Sequence, residues 1–457
     1  MKKENGWKAW VFYGSLGGLL LLCWGKANSY LPGGGDVMAL ALLLFAVVNW
    51  ALESVPIGVT ALLVVLCAPL TGLVEFEEAI AASFGNTIFA FFLGVLLLSS
   101  AFSQTNVGAW ISMKIFRLFG TKAVFLLLGI LMTGCLLAMW VTEVAAAAIV
   151  FPIVMSLLEG QKEREDYPLL GKAMTLAVAW GCAIGGVATP IATGANLIAV
   201  SYLKEHCGIT IDFFSWMSIG IPISLTLLGA GWGILSWGVR GCRPLSWEEK
   251  KISLGKKERC LLAIFGAAIF LWIFGEKLGL ESHYVALLAG MALFLPKIQI
   301  LSWKKAISSI SWDSVILICA GVLLGDILYR YGTAETIAKL FFSKDLLAKG
   351  LFLSSAYIVA AVSLLKMLFS SNTVSGIILV PIMISLAEQT GQAPWALVAP
   401  CIFSSALAFL LITSSPVNVI PYSARLFTQK DMLKYGSVMT LVSAVIIGFW
   451  LMIFQVG

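Results

Sequence analysis

Apolar runs fall at about 10–25, 37–52, 55–73, 86–103, 123–159, 172–203, 213–238, 260–275, 284–296, 313–329, 350–388, 396–424 and 435–454, separated by short polar stretches. At about 1.5 Å per residue, runs of roughly 17 to 25 residues are long enough to cross a hydrocarbon core of about 30 Å as helices. No short alternating segments of the kind a transmembrane β-barrel needs stand out. The pattern predicts an all-α polytopic membrane protein. Two runs, 123–159 and 350–388, are too long for one crossing, and polar residues interrupt each near its middle: Thr142 and Glu143 in the first, Ser371, Asn372 and Thr373 in the second. Each reads as a helical hairpin that either crosses twice or dips in and returns.

Composition agrees with the pattern. The chain is 60% apolar and 12% charged, against about 25% charged in soluble domains. Lys2, Lys3 and Lys8 precede the first run, no small-residue cleavage site follows it, and many more spans come after, so it is expected to be a retained helix. With the N-terminus in the cytoplasm and the runs 172–203 and 396–424 each crossing once, Lys114, Arg117, Lys122, Lys162, Arg164, Lys172, the basic linker at 239–259, Lys297, Lys304, Lys305, Arg425, Lys430 and Lys434 fall on the inner side. The positive-inside rule asks for that arrangement, in a cytoplasmic (inner) membrane. These loops account for the net charge of +6 without a nucleic-acid partner. Nine cysteines lie singly, with no metal-site spacing, and His206 and His283 are expected as solvated residues near helix ends. No Cys-His, His-Glu or Asp-Asp pair has catalytic spacing in the apolar segments, which argues against an intramembrane enzyme or a resident cofactor.

The stretch "RGCRPLSWEEKKISLGKKER" at 240–259 reads as a cytoplasmic linker between residues 1–239 and 260–457, and these halves repeat. "TEVAAAAIVFPIVMSLLE" from Thr142 matches "SNTVSGIILVPIMISLAE" from Ser371, with Pro152 and Pro381 each ten residues on, and "GVLLLSSAF" from Gly94 matches "GVLLGDILY" from Gly321. In the expected topology the hairpins open to opposite sides, which makes the repeats inverted. After each hairpin comes a helix broken by small residues, "GCAIGGVATPIATGANLI" from Gly181 and "SSALAFLLITSSPVNVI" from Ser404. A break at membrane depth is tolerated only where it lines a cavity or is buried in protein, so paired breaks point to a substrate site between them. "NVGAWISMKIFRLFG" from Asn106 and "ETIAKLFFSK" from Glu335 suit helices lying in the interface.

Ser371-Asn372-Thr373 at a hairpin tip, "NWALESVPIGVTALL" from Asn49, and broken helices ending in Asn196 and Asn418 resemble the divalent anion sodium symporter family of dicarboxylate, citrate and sulfate carriers. The similarity spans nearly the whole chain. It implies a homodimer of protomers with about eleven spanning helices, two re-entrant hairpins and an elevator-type motion. It also implies that Ser371, Asn372 and Thr373 contact substrate or cation, with Thr142 and Glu143 opposite them. The loops at Gly185 to Thr189, including Gly186 and Thr189, and at Thr413 to Pro416, including Ser415 and Pro416, complete the implied site. Helix N-termini and amide or hydroxyl donors suit carboxylate or sulfate oxygens. For Asn196 and Asn418 the residues alone leave a helix cap and a site role both open.

The first tip departs from the family, reading Thr142-Glu143-Val144 where Ser-Asn-Thr is expected. An ionisable residue inside a membrane segment is functional by default. Glu143 has three open roles: sodium ligand, together with Asn372, proton carrier, or half of an ion pair with Lys366. Lys366 precedes Ser371 by five residues, and either snorkels to the interface or stands as a fixed cation that favours anion exchange over sodium symport. Nothing in the sequence places the two in contact. The expectation is a secondary transporter of small divalent anions, dicarboxylates of the C4 type before sulfate, with coupling open among sodium, protons and exchange. The alternative is a monovalent-cation/proton antiporter or an arsenite-type carrier on a related fold.

Overall fold

The computed structural model describes residues 6–27, 34–246, 252–347 and 349–454. These form helices and connecting turns, with no strand among the described residues. The first half contains α1 (Gly6–Ala27), α2 (Gly35–Leu52), α3 (Ile57–Leu70), α4 (Phe76–Ser83), α5 (Thr87–Ser103), α6 (Val107–Phe119), α7 (Ala123–Ala138), α8 (Glu143–Glu159), α9 (Tyr167–Ala188), α10 (Gly194–Cys207) and α11 (Phe213–Ser236). The second contains α12 (Lys256–Phe274), α13 (Ser282–Ala292), α14 (Trp303–Ser309), α15 (Trp312–Arg330), α16 (Thr333–Phe341), α17 (Lys344–Leu347), α18 (Leu351–Leu365), α19 (Asn372–Thr390), α20 (Pro394–Ala406), α21 (Pro416–Tyr422) and α22 (Gln429–Ile453). Eight helical segments of the described chain are long and apolar enough to span a bilayer, and α3, α7, α13 and α20 are shorter apolar helices. The chain is an integral membrane protein.

Contacts between helices come in reciprocal pairs. Where α3 packs on α15, α13 packs on α5; where α10 packs on α19, α21 packs on α8; and α7 meets α11 as α18 meets α22. The first long apolar run folds as a packed helical pair, α7–α8; the second is divided at 366–371 into α18 and α19, which both pack on α20 rather than closely on one another. The long helices do not all lie in the same environment. Most of α9 (94%) and of α19 (78%) is buried inside the protein, whereas only 39% of each of the spans that contain α18 and α22 is. Leu441, Val445 and Phe449 on α22 are exposed apolar residues of the sort that face lipid.

Small residues set the closest crossings. A Cβ on Gly181 or Gly185 would lie 2.6 Å from the Leu131 carbonyl oxygen or 2.5 Å from that of Cys135. This small-xxx-small face lets α7 rest on the backbone of α9, the packing that compensates for the missing hydrophobic drive between helices in lipid. Aromatic rings join the halves: Trp216 stacks edge-on against Trp395 (5.9 Å) and Phe403 (5.4 Å), and Trp180 against Phe409 (5.3 Å).

One local expectation changes. His206 lies inside the last turn of α10, with only 11% of its side chain exposed and Nε2 3.9 Å from Asp326 Oδ1. It is not a solvated end residue, because α15 packs over that turn. The start of the basic stretch is tied to the first half. Leu245 is buried and its N–H donates to the Thr121 carbonyl (2.8 Å), Gln161 Nε2 donates to Ser246 O (2.6 Å), and Arg164 donates to the carbonyls of Arg243 (2.7 Å) and Pro244 (3.0 Å). Residues 247–251 of that stretch lie outside the described residues.

Candidate functional site

Each hairpin turns just before a helix start, and a hydroxyl caps that start. Thr142 Oγ1 accepts the Ala145 N–H (3.4 Å) at α8, and Ser371 Oγ accepts the Val374 N–H (3.4 Å) at α19. Capping explains why short hydroxyl residues stand there: the first turn of a helix has N–H groups without intrahelical acceptors. The next residue of each tip is Glu143 or Asn372. Asn372 Nδ2 donates directly to Glu143 Oε1, so the two tips meet across 229 residues of chain. Both side chains are buried, and Glu143 Oε2 and Asn372 Oδ1 have no protein partner. Thr373 turns elsewhere. A Cβ on Gly194 would lie 2.8 Å from Thr373 Oγ1, so this hydroxyl faces the start of α10.

The broken helices surround the tips with one construction used twice. Between α9 and α10, Asn196 Nδ2 donates to the carbonyls of Gly186 (2.8 Å) and Thr189 (2.9 Å); between α20 and α21, Asn418 Nδ2 donates to those of Ala408 (2.7 Å) and Leu411 (3.1 Å). In both cases one amide spans intervals of ten and seven residues. Each thereby holds a carbonyl at the end of the interrupted helix, Gly186 or Ala408, and a second within the break, Thr189 or Leu411, that also accepts the N–H of Ala192 or Ser414 (3.4 Å each). Both Asn Oδ1 atoms are buried without partners. The amides therefore bracket the breaks, a role that neither the cap nor the site reading of the sequence describes.

Gly186 lies against the first tip, since a Cβ there would come within 3.2 Å of Glu143 Oε2 and 3.4 Å of the Ala406 Cβ. Thr189 Oγ1 donates to the Met139 carbonyl (2.5 Å), tying the first break to the turn of the first hairpin. Ser415 caps α21, its Oγ accepting the Val417 N–H (3.4 Å), and Pro416 is exposed. Among the described residues neither hydrogen-bonds to a tip. The stretch from Asn49 reaches the second hairpin instead: Ser370 Oγ donates to Glu53 Oε1 (2.7 Å), with Glu53 in the left-handed region at φ 45°.

Lys366 is 1% exposed, so it does not snorkel. Its ammonium donates to the Ser405 carbonyl at the end of α20. It lies close enough to Glu143 for their charges to interact, yet the two make no ion pair within 4.0 Å. Buried acceptor oxygens, an amide donor and one ammonium thus face a junction of two helix N-termini. Such a place favours an anion, with oxygens at hand for an accompanying cation or proton.

A helical membrane bundle with two capped hairpin tips meeting beside two broken, internally bracketed helices is built as a transporter. The chain belongs to the citrate transporter family (CitMHS), whose profile matches residues 43–377. It is 30% identical to a transporter of Haemophilus influenzae over 93% of this chain and 92% of that one. It is 27% identical to the sodium-dependent dicarboxylate transporter SdcS of Staphylococcus aureus over 90% and 84%. The fold is similar to the Alcanivorax borkumensis YdaH transporter (TM-score 0.54, 14% identity, 82% of this chain and 87% of that one). It is also similar to Neisseria gonorrhoeae MtrF, of a class of antimetabolite efflux pumps (TM-score 0.56, 12% identity, 87% and 85%).

Proposed function

We propose that the protein is a secondary transporter of small organic dianions of the C4-dicarboxylate type, a divalent anion sodium symporter relative that works as a homodimer by elevator-type alternating access. The observation that carries this reading is the contact of Asn372 with Glu143, which closes two helix N-termini over one buried junction. Two N-termini with an amide donor suit a ligand with an anionic group at each end. The reciprocal helix contacts support two repeats, 1–239 and 260–457. The distribution of Lys and Arg supports their inverted topology and a cytoplasmic N-terminus, and in this topology the hairpins are re-entrant. Likeness to SdcS supports a dicarboxylate as the substrate. A cation/proton antiporter or arsenite-type carrier would need a clear cation path at Glu143, and a buried ammonium close by weighs against one.

The test is a thermal-shift screen of the purified protein against succinate, citrate, sulfate and arsenite, followed by uptake into proteoliposomes. A ligand stabilises the native state by an amount that grows with its concentration over its dissociation constant. Succinate is expected to stabilise the protein and to be taken up. Stabilisation by arsenite alone would overturn the reading.

A further inference from the structure

Charge differs between the two hairpins in a telling way. The first carries Glu143 where the second carries Asn372; five residues before the capping hydroxyl, the second carries Lys366 where the first carries the apolar Leu137. The acid and the base therefore come from opposite repeats and converge on one junction. Lys366 does not ion-pair with Glu143, as a structural salt bridge would. It reaches instead to Ser405 O, a carbonyl in the last turn of α20, where the helix stops at Ala406 and its final carbonyls lose their N–H donors. Carbonyls freed at a helix break are the groups that hold coupling cations in transporters built from broken helices. An ammonium has three N–H donors, and among the described residues Ser405 O is the one acceptor that Lys366 meets.

We propose that Lys366 is a tethered counter-cation: its ammonium takes, on the carbonyl end of α20, the place of a mobile sodium ion, so that the second break serves an anion without sodium from solution. The proposal rests on the dicarboxylate reading above. With Glu143 ionised, Lys366 makes the junction neutral, and a dianion then meets a fixed positive charge with N–H donors to spare. The lysine is a positioning and charge-balancing residue, and sodium dependence is the property it controls. A merely structural lysine would alter stability without altering the response to sodium.

The experiment uses the purified full-length protein in sodium chloride or in choline chloride at equal ionic strength, with succinate as the probe. In the wild type the apparent Kd for succinate is expected to agree between the two salts within about twofold. In Lys366→Met, which keeps the length and apolar stem, binding is expected to weaken in choline and to recover about tenfold or more in sodium. Equal sodium dependence in wild type and variant overturns the proposal. Should neither salt support succinate binding by the wild type, the dicarboxylate reading fails, and sodium alone then decides: a sodium-induced thermal shift gained by Lys366→Met supports the tethered cation, and no gain overturns it. Should Lys366→Met not fold, the wild type decides, because a steep sodium requirement for succinate binding overturns the proposal and its absence supports it.

Discussion

Asn372→Asp changes one NH2 group to an oxygen while keeping the shape of a buried side chain. Packing at the tip is preserved, so the effect reports on electrostatics. The amide that donates to Glu143 Oε1 becomes a second carboxylate facing the first. Two unit charges roughly 3 Å apart repel by about 5 kcal/mol at an effective dielectric of ~20. Loss of a hydrogen bond to a charged group adds about 1.5–3 kcal/mol. Relaxation of the tips and the nearby Lys366 ammonium offset part of this. A remainder of about 3 kcal/mol still weakens an anion that needs the tips together by more than ~100-fold. The assay is a succinate titration by thermal shift, with proteoliposome uptake alongside. At pH 7.5 the variant is expected to show no succinate-induced shift; at pH 5.5 part of it should return, because a proton held between the two carboxyls restores a hydrogen bond. Asn372→Ala, which adds no charge, should bind weakly at both pH values. Wild-type affinity in Asn372→Asp at pH 7.5 would refute the tip-to-tip site.

Gly185→Val places a Cβ 2.5 Å from the Cys135 carbonyl and pushes α7 off α9; overpacking costs about 1–3 kcal/mol, and a melting temperature equal to that of the wild type would contradict the close crossing. Asn196→Ala leaves Gly186 O, and Asn418→Ala leaves Ala408 O, without the side-chain donor that serves it, a loss of about 1–3 kcal/mol for a buried group left unsatisfied. The two should lower transport alike, and a large difference between them in uptake assays would break the equivalence of the brackets. Hydrogen bonds from Arg164 hold the Asp166 carboxyl down at about 2. A depressed carboxylate contributes stability above its unfolded value near 4 that is lost as pH falls through about 2. Pepsin should therefore begin to cut the 240–246 segment of the wild type across that window, whereas Asp166→Asn should be cut at every acid pH tested, and identical profiles would remove the Arg164–Asp166 tie from the account.

Local properties made much of the molecule legible. Span length, the interruption of two long runs by polar residues, the hydroxyl that caps a helix start and the small residues of a helix break are written within a few positions of where they act. For that reason the helix starts after Thr142 and Ser371 and the breaks after Gly181 and Ser404 stand in the folded chain where the sequence marks them. The sequence also marked Glu143 and Lys366 as residues too polar for their surroundings. It could not choose among their partners, because partners are set by which helices cross. Asn372 reaches Glu143 over 229 residues, and Lys366 reaches over 39 residues to a backbone carbonyl, which no side-chain pattern announces. The same holds for Asn196 and Asn418, whose acceptors are carbonyls at the break, and for His206, largely covered because α15 lies over the end of α10. The triad Ser371-Asn372-Thr373 shows the division most plainly. Its composition follows from the sequence, but only the fold sends its members three ways, into a cap, a clasp with the opposite tip and a contact with α10, because consecutive residues at a helix start point in different directions and each meets whatever the tertiary packing has brought there.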